Sequence, residues 1–350
     1  MNRYKKFLTL FTLIIIILLP GCTKDKAPIE PLSQTEFMMD TVMTIRIFDK
    51  NDKKILDKAY ERLEEIENKM SATIESSEVN KINNNAGIEP VQVSPDTYFV
   101  LKGAKEHAEI STGAYEPTIG PLVKLWNIQS EDVARDWIPD NKDIEETQLL
   151  VDYKNLELLE NNMVFLKEKN MRLDLGGIVK GYATDEVRRI LHENGVNVAI
   201  IDLGGNIYAH GVKEGGLPWN IGVQNPLDAT GGHLGVIEIE DQSIVTSGDY
   251  ERFFEIEGER YHHIIDAKTG YPSNNEITGV TIVADRSIDG DALSTTMFIL
   301  GVDKGMELAK SMEGIDVVFI TKDKSIYLSP GIKDKFKLNE DKNEFTIKEE

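Results

Sequence analysis

Residues 174–185, which read DLGGIVKGYATD, constrain the fold and the chemistry of this chain more than any other segment. The apolar residues Met171 and Leu173 alternate before it, which predicts a strand that ends near Asp174. Gly176 and Gly177 then permit close backbone approach, and apolar residues recur at helical spacing after them. Because free amides at the start of a helix attract anions, the segment predicts a site for a phosphorylated ligand. A tight turn with no ligand is the alternative.

The N-terminus predicts where the protein works. Basic residues precede an apolar run at 7–19, and Leu-Pro-Gly then leads into Cys22, the only cysteine of the chain. This pattern is typical of a secretory leader, residues 1–21, that ends in a lipoprotein cleavage box. A transmembrane anchor is the alternative, but the run is shorter than the roughly 20 residues that span a bilayer. We therefore expect a lipid on Cys22 and a protein on the extracytoplasmic face of a bacterial cell membrane.

The charge of the chain restricts its partners. The 350 residues carry a formal net charge of -21, and 41% of them are hydrophobic, which is enough for a sizeable core. Such an acidic chain is not expected to bind nucleic acid. It also repels anionic ligands, so a phosphorylated ligand would need a metal cation and a local lysine to offset the surrounding charge.

Hydrophobic periodicity predicts an α+β fold. Helical patterns are mixed with short strands and with a hairpin whose turn lies near Glu257 and Gly258, which argues against a doubly wound parallel sheet. Gly204 and Gly205 lack the G-x-G-x-x-G pattern of a Rossmann dinucleotide site. The expected strands are residues 41–48, 196–202, 234–239, 243–246 and 317–321, and the expected helices are residues 53–70, 98–110, 292–300 and 304–312.

Two oxygen-bearing residues suggest a metal site. Asp291 and Thr295 are four residues apart at the start of a predicted helix and therefore share a face. A hard cation such as Mg²⁺ takes oxygen ligands, commonly one or two carboxylates with substrate phosphates and waters. The alternative is helix capping, with Asp289 or Asp291 as the N-cap.

Four segments in this order resemble the FAD:protein FMN transferase (ApbE) family. They are GAYEPTIGPLVKLW at 113–126, DLGGIVKGYATD at 174–185, HHIIDAKTGYP at 262–272 and GDALSTT at 290–296. The resemblance covers roughly residues 35–335. It implies a T-fold-like α+β protein with mixed, largely antiparallel sheets packed with helices, in one large domain of two coupled lobes. A polar tether at 22–34 would precede that domain, and a charged tail at 336–350 would follow it.

The resemblance also implies an activity. Members of the family transfer FMN from FAD through a phosphoester bond to a Ser or Thr hydroxyl of an acceptor redox protein and release AMP, with Mg²⁺ as cofactor and Mn²⁺ as the alternative. Acceptors resemble D-x-x-S/T-G-A-S/T, a motif that this chain lacks, so the expected acceptor is another exported or membrane-bound protein. Two alternatives remain open: an FAD pyrophosphatase that gives FMN and AMP, and a lipoprotein that binds a solute without turnover.

The implied metal ligands are the side chains of Asp291 and Thr295 and the backbone carbonyl of Gly177. Adjacent residues of a strand point to opposite faces, so only one of His262 and His263 is expected to enter a cleft. The H-I-I-D pattern of the family selects His263, as a flavin-site histidine with a possible role in proton transfer, beside Asp291 as the second catalytic residue. The other five histidines are expected to be structural or merely exposed.

Further FAD contacts carry over position by position. Met39 matches the methionine of the family's M-G-T segment. This chain has Asp40 where the family segment has glycine. The remaining contacts implied by the family motifs are Ala114, Tyr115, Glu116, Asp174 and Lys180. Tyr115 could equally be a core aromatic residue, and Lys180 a solvated helix charge.

One position departs from the family. The segment MSATIESSE at 70–78 aligns with M-S-T-Y-R-P-x-S-E and puts Thr73 where many members have a flavin-site tyrosine. A smaller residue there would loosen the flavin site and admit water, which keeps FAD hydrolysis open beside flavin transfer.

Overall fold

The computed structural model describes residues 30–128, 135–228 and 231–348, and the chain forms one compact unit from Leu32 onward. The predicted leader and the predicted lipid attachment at Cys22 lie outside the described residues. Within those ranges, every helix is too short or too polar to cross a lipid bilayer.

The described residues form seven α-helices and nineteen β-strands. The helices are α1 (Lys53–Met70), α2 (Glu78–Asn84), α3 (Pro95–Ile110), α4 (Gly120–Trp126), α5 (Asn141–Gln148), α6 (Val179–Glu193) and α7 (Ser287–Ser311). The strands are β1 (Leu32–Met38), β2 (Thr41–Ile47), β3 (Val91–Gln92), β4 (Leu156–Leu159), β5 (Met163–Leu166), β6 (Ala199–Leu203), β7 (Asn206–His210), β8 (Trp219–Gln224), β9 (His233–Ile239), β10 (Gln242–Gly248), β11 (Phe253–Ile256), β12 (Glu259–His262), β13 (Ile265–Asp266), β14 (Tyr271–Pro272), β15 (Ile277–Ala284), β16 (Ile315–Thr321), β17 (Ser325–Leu328), β18 (Phe336–Leu338) and β19 (Thr346–Lys348).

A nine-stranded sheet organises the molecule, in the order β1-β2-β6-β7-β10-β15-β16-β17-β19. Its pairs are antiparallel except β17 with β19. All eight residues of β15 are buried, because both faces of the sheet are covered. Successive residues point to opposite faces, so Ile282 packs with α7 while Val283 packs with the small sheet β18-β9-β8. The predicted α+β fold is therefore confirmed.

Most predicted elements occur close to their predicted bounds. The helix at 53–70 matches α1, and its buried residues follow one face. The hairpin with its turn at Glu257 and Gly258 is formed by β11 and β12. Residues 32–34 and 336–348, which the sequence assigns to the tether and the tail, contain strand residues: Leu32 pairs with Ile47, and Phe336 pairs with Ile237.

The predicted strand before Asp174 is wrong. This stretch is extended, but it forms a single bridge, between Arg172 and Ile119. Its other backbone groups bond to loops and to a side chain, since Leu173 N donates to Asn83 Oδ1 at 2.6 Å and Asp174 N donates to the Pro117 carbonyl at 2.9 Å. The alternation of apolar residues here therefore shows which side chains are buried, and it does not indicate pairing with a neighbouring strand.

The two C-terminal helices predicted from the sequence are parts of α7, which begins earlier, at Ser287, and breaks at Gly301 with a φ of 83°. Arg286 occupies the N-cap position, so the alternative in which Asp289 or Asp291 is the N-cap does not hold. Asp291 lies one turn inside the helix and is 3% exposed.

Candidate active site

One cleft of about 590 Å³ collects the predicted site residues from the whole sequence. The turn between β1 and β2, the loop after α1, the loop before α4 and the first turns of α6 and α7 contribute to its walls. The predicted residues that line it are Met39, Thr73, Ala114, Tyr115, Glu116, Asp174, Gly177, Lys180, His263, Asp291 and Thr295. The fold thus brings all of the described site residues together, while the role of each one stays a prediction.

The N-terminal parts of α6 and α7 meet at the centre of this cleft. Asp291 Oδ2 accepts a hydrogen bond from Gly181 N at 2.8 Å, and Asp291 Oδ1 lies 4.0 Å from Lys180 Nζ. A Cβ placed on Gly177 would lie 3.2 Å from Thr295 Oγ1, so the backbone of Gly177 and the threonine hydroxyl are neighbours. A carboxylate, a hydroxyl and a peptide carbonyl therefore lie in one small region.

This set of donors fits a hard cation. All three donors are oxygens, which Mg²⁺ prefers, and substrate phosphates and waters commonly complete its coordination. The described residues contain no group of three or more His, Cys, Asp or Glu that could hold a metal. A cation here would therefore depend on Asp291, Thr295, the Gly177 carbonyl and oxygens of the ligand.

The loop before α6 is shaped by Asp174 and ends beside Lys180. Asp174 Oδ1 accepts from Gly176 N at 2.8 Å, which holds the glycine pair in a turn. Lys180 Nζ donates to the Gly176 carbonyl at 3.4 Å and remains near Asp291. The lysine thus provides the positive charge that an anionic ligand needs in this acidic chain.

Tyr115 is buried against the same region. Its side chain is 4% exposed, and its ring lies 3.4 Å from a Cβ placed on Gly177. Within the described ranges, no protein atom pairs with the buried Tyr115 hydroxyl. Burial raises the pKa of Tyr115 well above its usual value, and the Asp291 and Asp174 carboxylates raise it further. The hydroxyl therefore stays protonated and can donate a hydrogen bond to an acceptor within its reach.

Glu116 holds the loop that carries Tyr115. One carboxylate oxygen accepts from the backbone and the hydroxyl of Thr118 at 2.9 and 2.7 Å, and the other accepts from Tyr153 N at 3.0 Å. Burial raises the pKa of Glu116 in spite of these hydrogen bonds. One oxygen is engaged within the loop and the other ties the loop to Tyr153, so the contacts observed here are structural.

The two adjacent histidines occupy different environments. His262 ends β12 and is 4% exposed, whereas His263 follows the strand and lines the cleft. His263 Nδ1 lies 3.4 Å from the Arg252 carbonyl. Desolvation in the cleft holds the pKa of His263 well below its usual value, and the Arg252 guanidinium adds to this effect. His263 is therefore neutral at pH 7, with one ring nitrogen unprotonated.

Thr73 lies on the rim of the cleft, in the loop that follows α1, and its side chain is exposed. Ser71 Oγ accepts from Thr73 N at 3.1 Å and from Ile74 N at 3.2 Å, and Ser77 Oγ donates to the Ser71 carbonyl at 2.7 Å. The loop is thus held by its own serines, and Thr73 occupies space at the mouth of the cleft.

Several cleft residues had no signal in the sequence. Glu251 and Arg252 follow β10 and line the wall near Lys180. Desolvation raises the pKa of Glu251, while Lys180 and Arg252 act in the opposite direction. Glu67 also reaches the cleft, because its carboxylate accepts from Met39 N at 2.8 Å in the β1–β2 turn. In the sequence, Glu251 and Arg252 look like an ordinary charged loop, and Glu67 looks like an ordinary charge on a helix. Neither pattern indicates that these residues line a cleft.

The β1–β2 turn explains the departure at Asp40. Met39 and Asp40 have φ angles of 49° and 58°, in the left-handed region that a two-residue hairpin requires. Glycine enters this region freely and aspartate tolerates it, so Asp40 can replace the glycine of the M-G-T segment.

Comparison with known proteins assigns the fold and its cleft to a class. The model of the ApbE family matches residues 39–319. A FAD:protein FMN transferase of Treponema pallidum is 35% identical over 93% of this chain and 94% of its own length. One of Klebsiella pneumoniae is 36% identical over 85% of this chain and 91% of its own. The chain therefore belongs to the ApbE family, and the resemblance predicted from its four segments is confirmed.

Solved structures agree with this assignment. The crystal structure of the ApbE protein from Thermotoga maritima has a TM-score of 0.80 at 32% identity and covers 87% of this chain and 99% of its own. The flavin transferase ApbE from Vibrio cholerae has a TM-score of 0.79 at 29% identity, with the same coverage of both chains.

Proposed function

We propose that this protein transfers FMN from FAD to a Ser or Thr hydroxyl of an acceptor protein and releases AMP. In the reaction, the acceptor oxygen forms a bond to the FMN-side phosphorus, the bond from that phosphorus to the bridging oxygen breaks, and the hydroxyl proton leaves. The observation that carries the proposal is the convergence of residues from 39 to 295 on one cleft, in a chain of the ApbE family.

Different residues of the cleft have different proposed roles in the reaction. Asp291, Thr295 and the Gly177 carbonyl would hold Mg²⁺, or Mn²⁺ in its place, and a bound metal supplies positive charge to the pyrophosphate. Lys180 adds a second positive charge 4.0 Å from the Asp291 carboxylate. His263 is neutral and lines the same cleft, so it is placed to accept the proton of the acceptor hydroxyl.

The partner is an exported or membrane-bound redox protein with a D-x-x-S/T-G-A-S/T motif. This proposal follows from the family resemblance and from the lipoprotein box at Cys22, which would anchor the enzyme at the extracytoplasmic face of the membrane. The chain itself lacks the motif, so we do not expect it to be its own acceptor.

Incubation of the full-length protein with FAD, Mg²⁺ and a domain that carries the acceptor motif tests the proposal. We expect AMP in solution and the mass of FMN on the acceptor hydroxyl. An acceptor with alanine in place of the modified residue is the matched control and should stay unlabelled. Release of AMP without labelling of the acceptor would identify an FAD pyrophosphatase instead, and FAD binding without release of AMP would identify a solute-binding protein.

FAD hydrolysis is the second candidate because of one observation. Thr73 is a small, exposed residue on the rim of the cleft, at a position where the family resemblance places a tyrosine. An open rim gives water access to the site. Flavin transfer remains the primary proposal, since the phosphate and metal positions match the family pattern.

A further inference from the structure

We propose that Asp185 is a positioning residue for the metal site, because it clamps the helix that carries Asp291 and Thr295. Asp185 lies in the second turn of α6, outside the set of predicted ligands. Its Oδ1 accepts from Ser287 N at 2.9 Å and its Oδ2 accepts from Ile288 N at 3.0 Å. These are the first two residues of α7, whose own N-cap residue, Arg286, makes no side-chain capping bond to the helix in the described part of the chain.

The clamp is reciprocal. The N-cap residue of α6, Ile178, likewise makes no side-chain capping bond. Instead, Asp291 Oδ2 on α7 accepts from Gly181 N in the first turn of α6 at 2.8 Å. Each helix therefore satisfies amides at the start of the other with a carboxylate, and each negative charge lies at the positive end of a helix dipole.

Close backbone contact locks this arrangement. A Cβ on Gly181 would lie 2.3 Å from the Ser287 carbonyl oxygen and 2.7 Å from the Ile288 Cα. Real Cβ atoms do not approach backbone so closely, so the two helices meet at a distance that only glycine permits. The clamp thus fixes both the separation and the rotation of the two helix starts.

The consequence falls on the metal ligands. The bond to Gly181 engages Asp291 Oδ2, and Oδ1 is the oxygen that lies toward Lys180. Asp291 and Thr295 are on the same face of α7, so a rotation of its first turns would displace both. Without Asp185, two amides at the buried start of α7 would lose their partners, and the ligand oxygens would lose their fixed orientation toward Gly177.

This inference rests on the proposed metal role of Asp291, and the test separates the two. Binding of Mn²⁺ in the presence of FAD is measured on the full-length protein from the loss of the paramagnetic resonance signal of free Mn²⁺. We expect Asp185→Ala to weaken Mn²⁺ binding by about tenfold or more, within the range measured for residues that orient metal ligands. Asp185→Asn keeps one acceptor oxygen, so it should fold and show a smaller loss.

Two further variants define the outcome. Asp52→Ala removes a carboxylate N-cap from α1, where Asp52 Oδ1 accepts from Lys54 N at 3.1 Å, and should leave Mn²⁺ binding unchanged. Gly181→Ala forces α6 and α7 apart and should weaken Mn²⁺ binding as Asp185→Ala does. If Asp185→Ala and Asp185→Asn lower the melting temperature but bind Mn²⁺ as the wild type does, Asp185 is only a structural cap and the inference is wrong. Unchanged Mn²⁺ binding by Asp291→Ala would refute the proposed metal role itself.

Discussion

At the scale of single residues, the cleft contains a buried hydroxyl that has no partner in the described part of the chain. Tyr115 and Tyr60 are equally buried, but Tyr60 Oη donates to the Gln34 and Met43 carbonyls at 2.7 and 3.1 Å, whereas the Tyr115 hydroxyl has no partner among the described residues. An unsatisfied buried polar group lowers stability by about 1–3 kcal/mol. The two tyrosines therefore provide a matched pair.

We expect Tyr115→Phe to leave the free energy of unfolding of the FAD-free protein unchanged or to raise it by about 1 kcal/mol, since the substitution removes an unsatisfied hydroxyl. Tyr60→Phe, the control, should lower it by a similar amount because the proton that the Gln34 and Met43 carbonyls share is lost. Urea unfolding measures both. A clear loss of stability in Tyr115→Phe would show that the hydroxyl has a partner in solution.

A second prediction concerns Thr73. An aromatic ring at the mouth of the cleft would cover the flavin and exclude water, with an effect near the 1 kcal/mol scale of an aromatic contact. We therefore expect Thr73→Tyr to lower the ratio of free FMN to acceptor-bound flavin by roughly fivefold while transfer survives. Thr73→Val, which changes the shape little and adds no ring, should keep the wild-type ratio. Equal ratios in Thr73→Tyr and wild type, at equal FAD occupancy, would rule out this role.

At the scale of elements, the end of β12 holds a histidine in one protonation state. His262 Nε2 donates to the Ser273 carbonyl at 2.7 Å, and Ile264 N donates to His262 Nδ1 at 3.3 Å. These partners require a neutral ring with its proton on Nε2. Burial lowers the pKa of His262 to about 4, so a proton binds to the unfolded chain first as the pH falls.

The free energy of unfolding should therefore fall as the pH drops from about 6.5 toward 4, by about 3 kcal/mol from His262 alone. The sign follows because a lowered folded-state pKa makes the unfolded state the better proton acceptor in this window. Urea unfolding at a series of pH values should show a shallower dependence for His262→Asn than for the wild type. The exposed His233 on β9 provides the matched His→Asn control. Parallel pH profiles for His262→Asn and the wild type would contradict the assignment.

At the scale of the whole molecule, the site depends on long-range assembly. The cleft joins the β1–β2 turn near the start of the compact unit to α7 near its end, so no contiguous half of the chain contains it. The predicted attachment point, Cys22, precedes this unit, which begins at Leu32. Anchoring and catalysis should therefore be separable.

We expect Cys22→Ala to release the full-length protein from the membrane fraction while FAD turnover of the purified protein stays at the wild-type level. Mass spectrometry of the wild type should find a mature chain that begins at a lipid-modified Cys22. A retained leader, or an unmodified Cys22 in the membrane fraction, would contradict the prediction.

The sequence by itself determined the elements and the family. Apolar residues at helical spacing in 53–70 specify α1, because this spacing alone places them on one face of the helix and so identifies the face that is buried. Glycine at position 258 specifies the β11–β12 turn, since it enters the left-handed region freely. Four segments in order identified the ApbE family, and together with the segments around Met39 and Thr73 they supplied the predicted residues that line the cleft.

Only the tertiary structure decided which groups those residues contact. The stretch before Asp174 alternates like a strand but bonds to Asn83 and Pro117, and α7 is capped by Asp185 from another helix rather than by its own residues. Glu251 and Glu67 reach the cleft through packing that their neighbours in sequence do not encode. Periodicity reports which residues are buried, whereas the partner of a buried polar group is chosen by contacts between segments far apart in the chain.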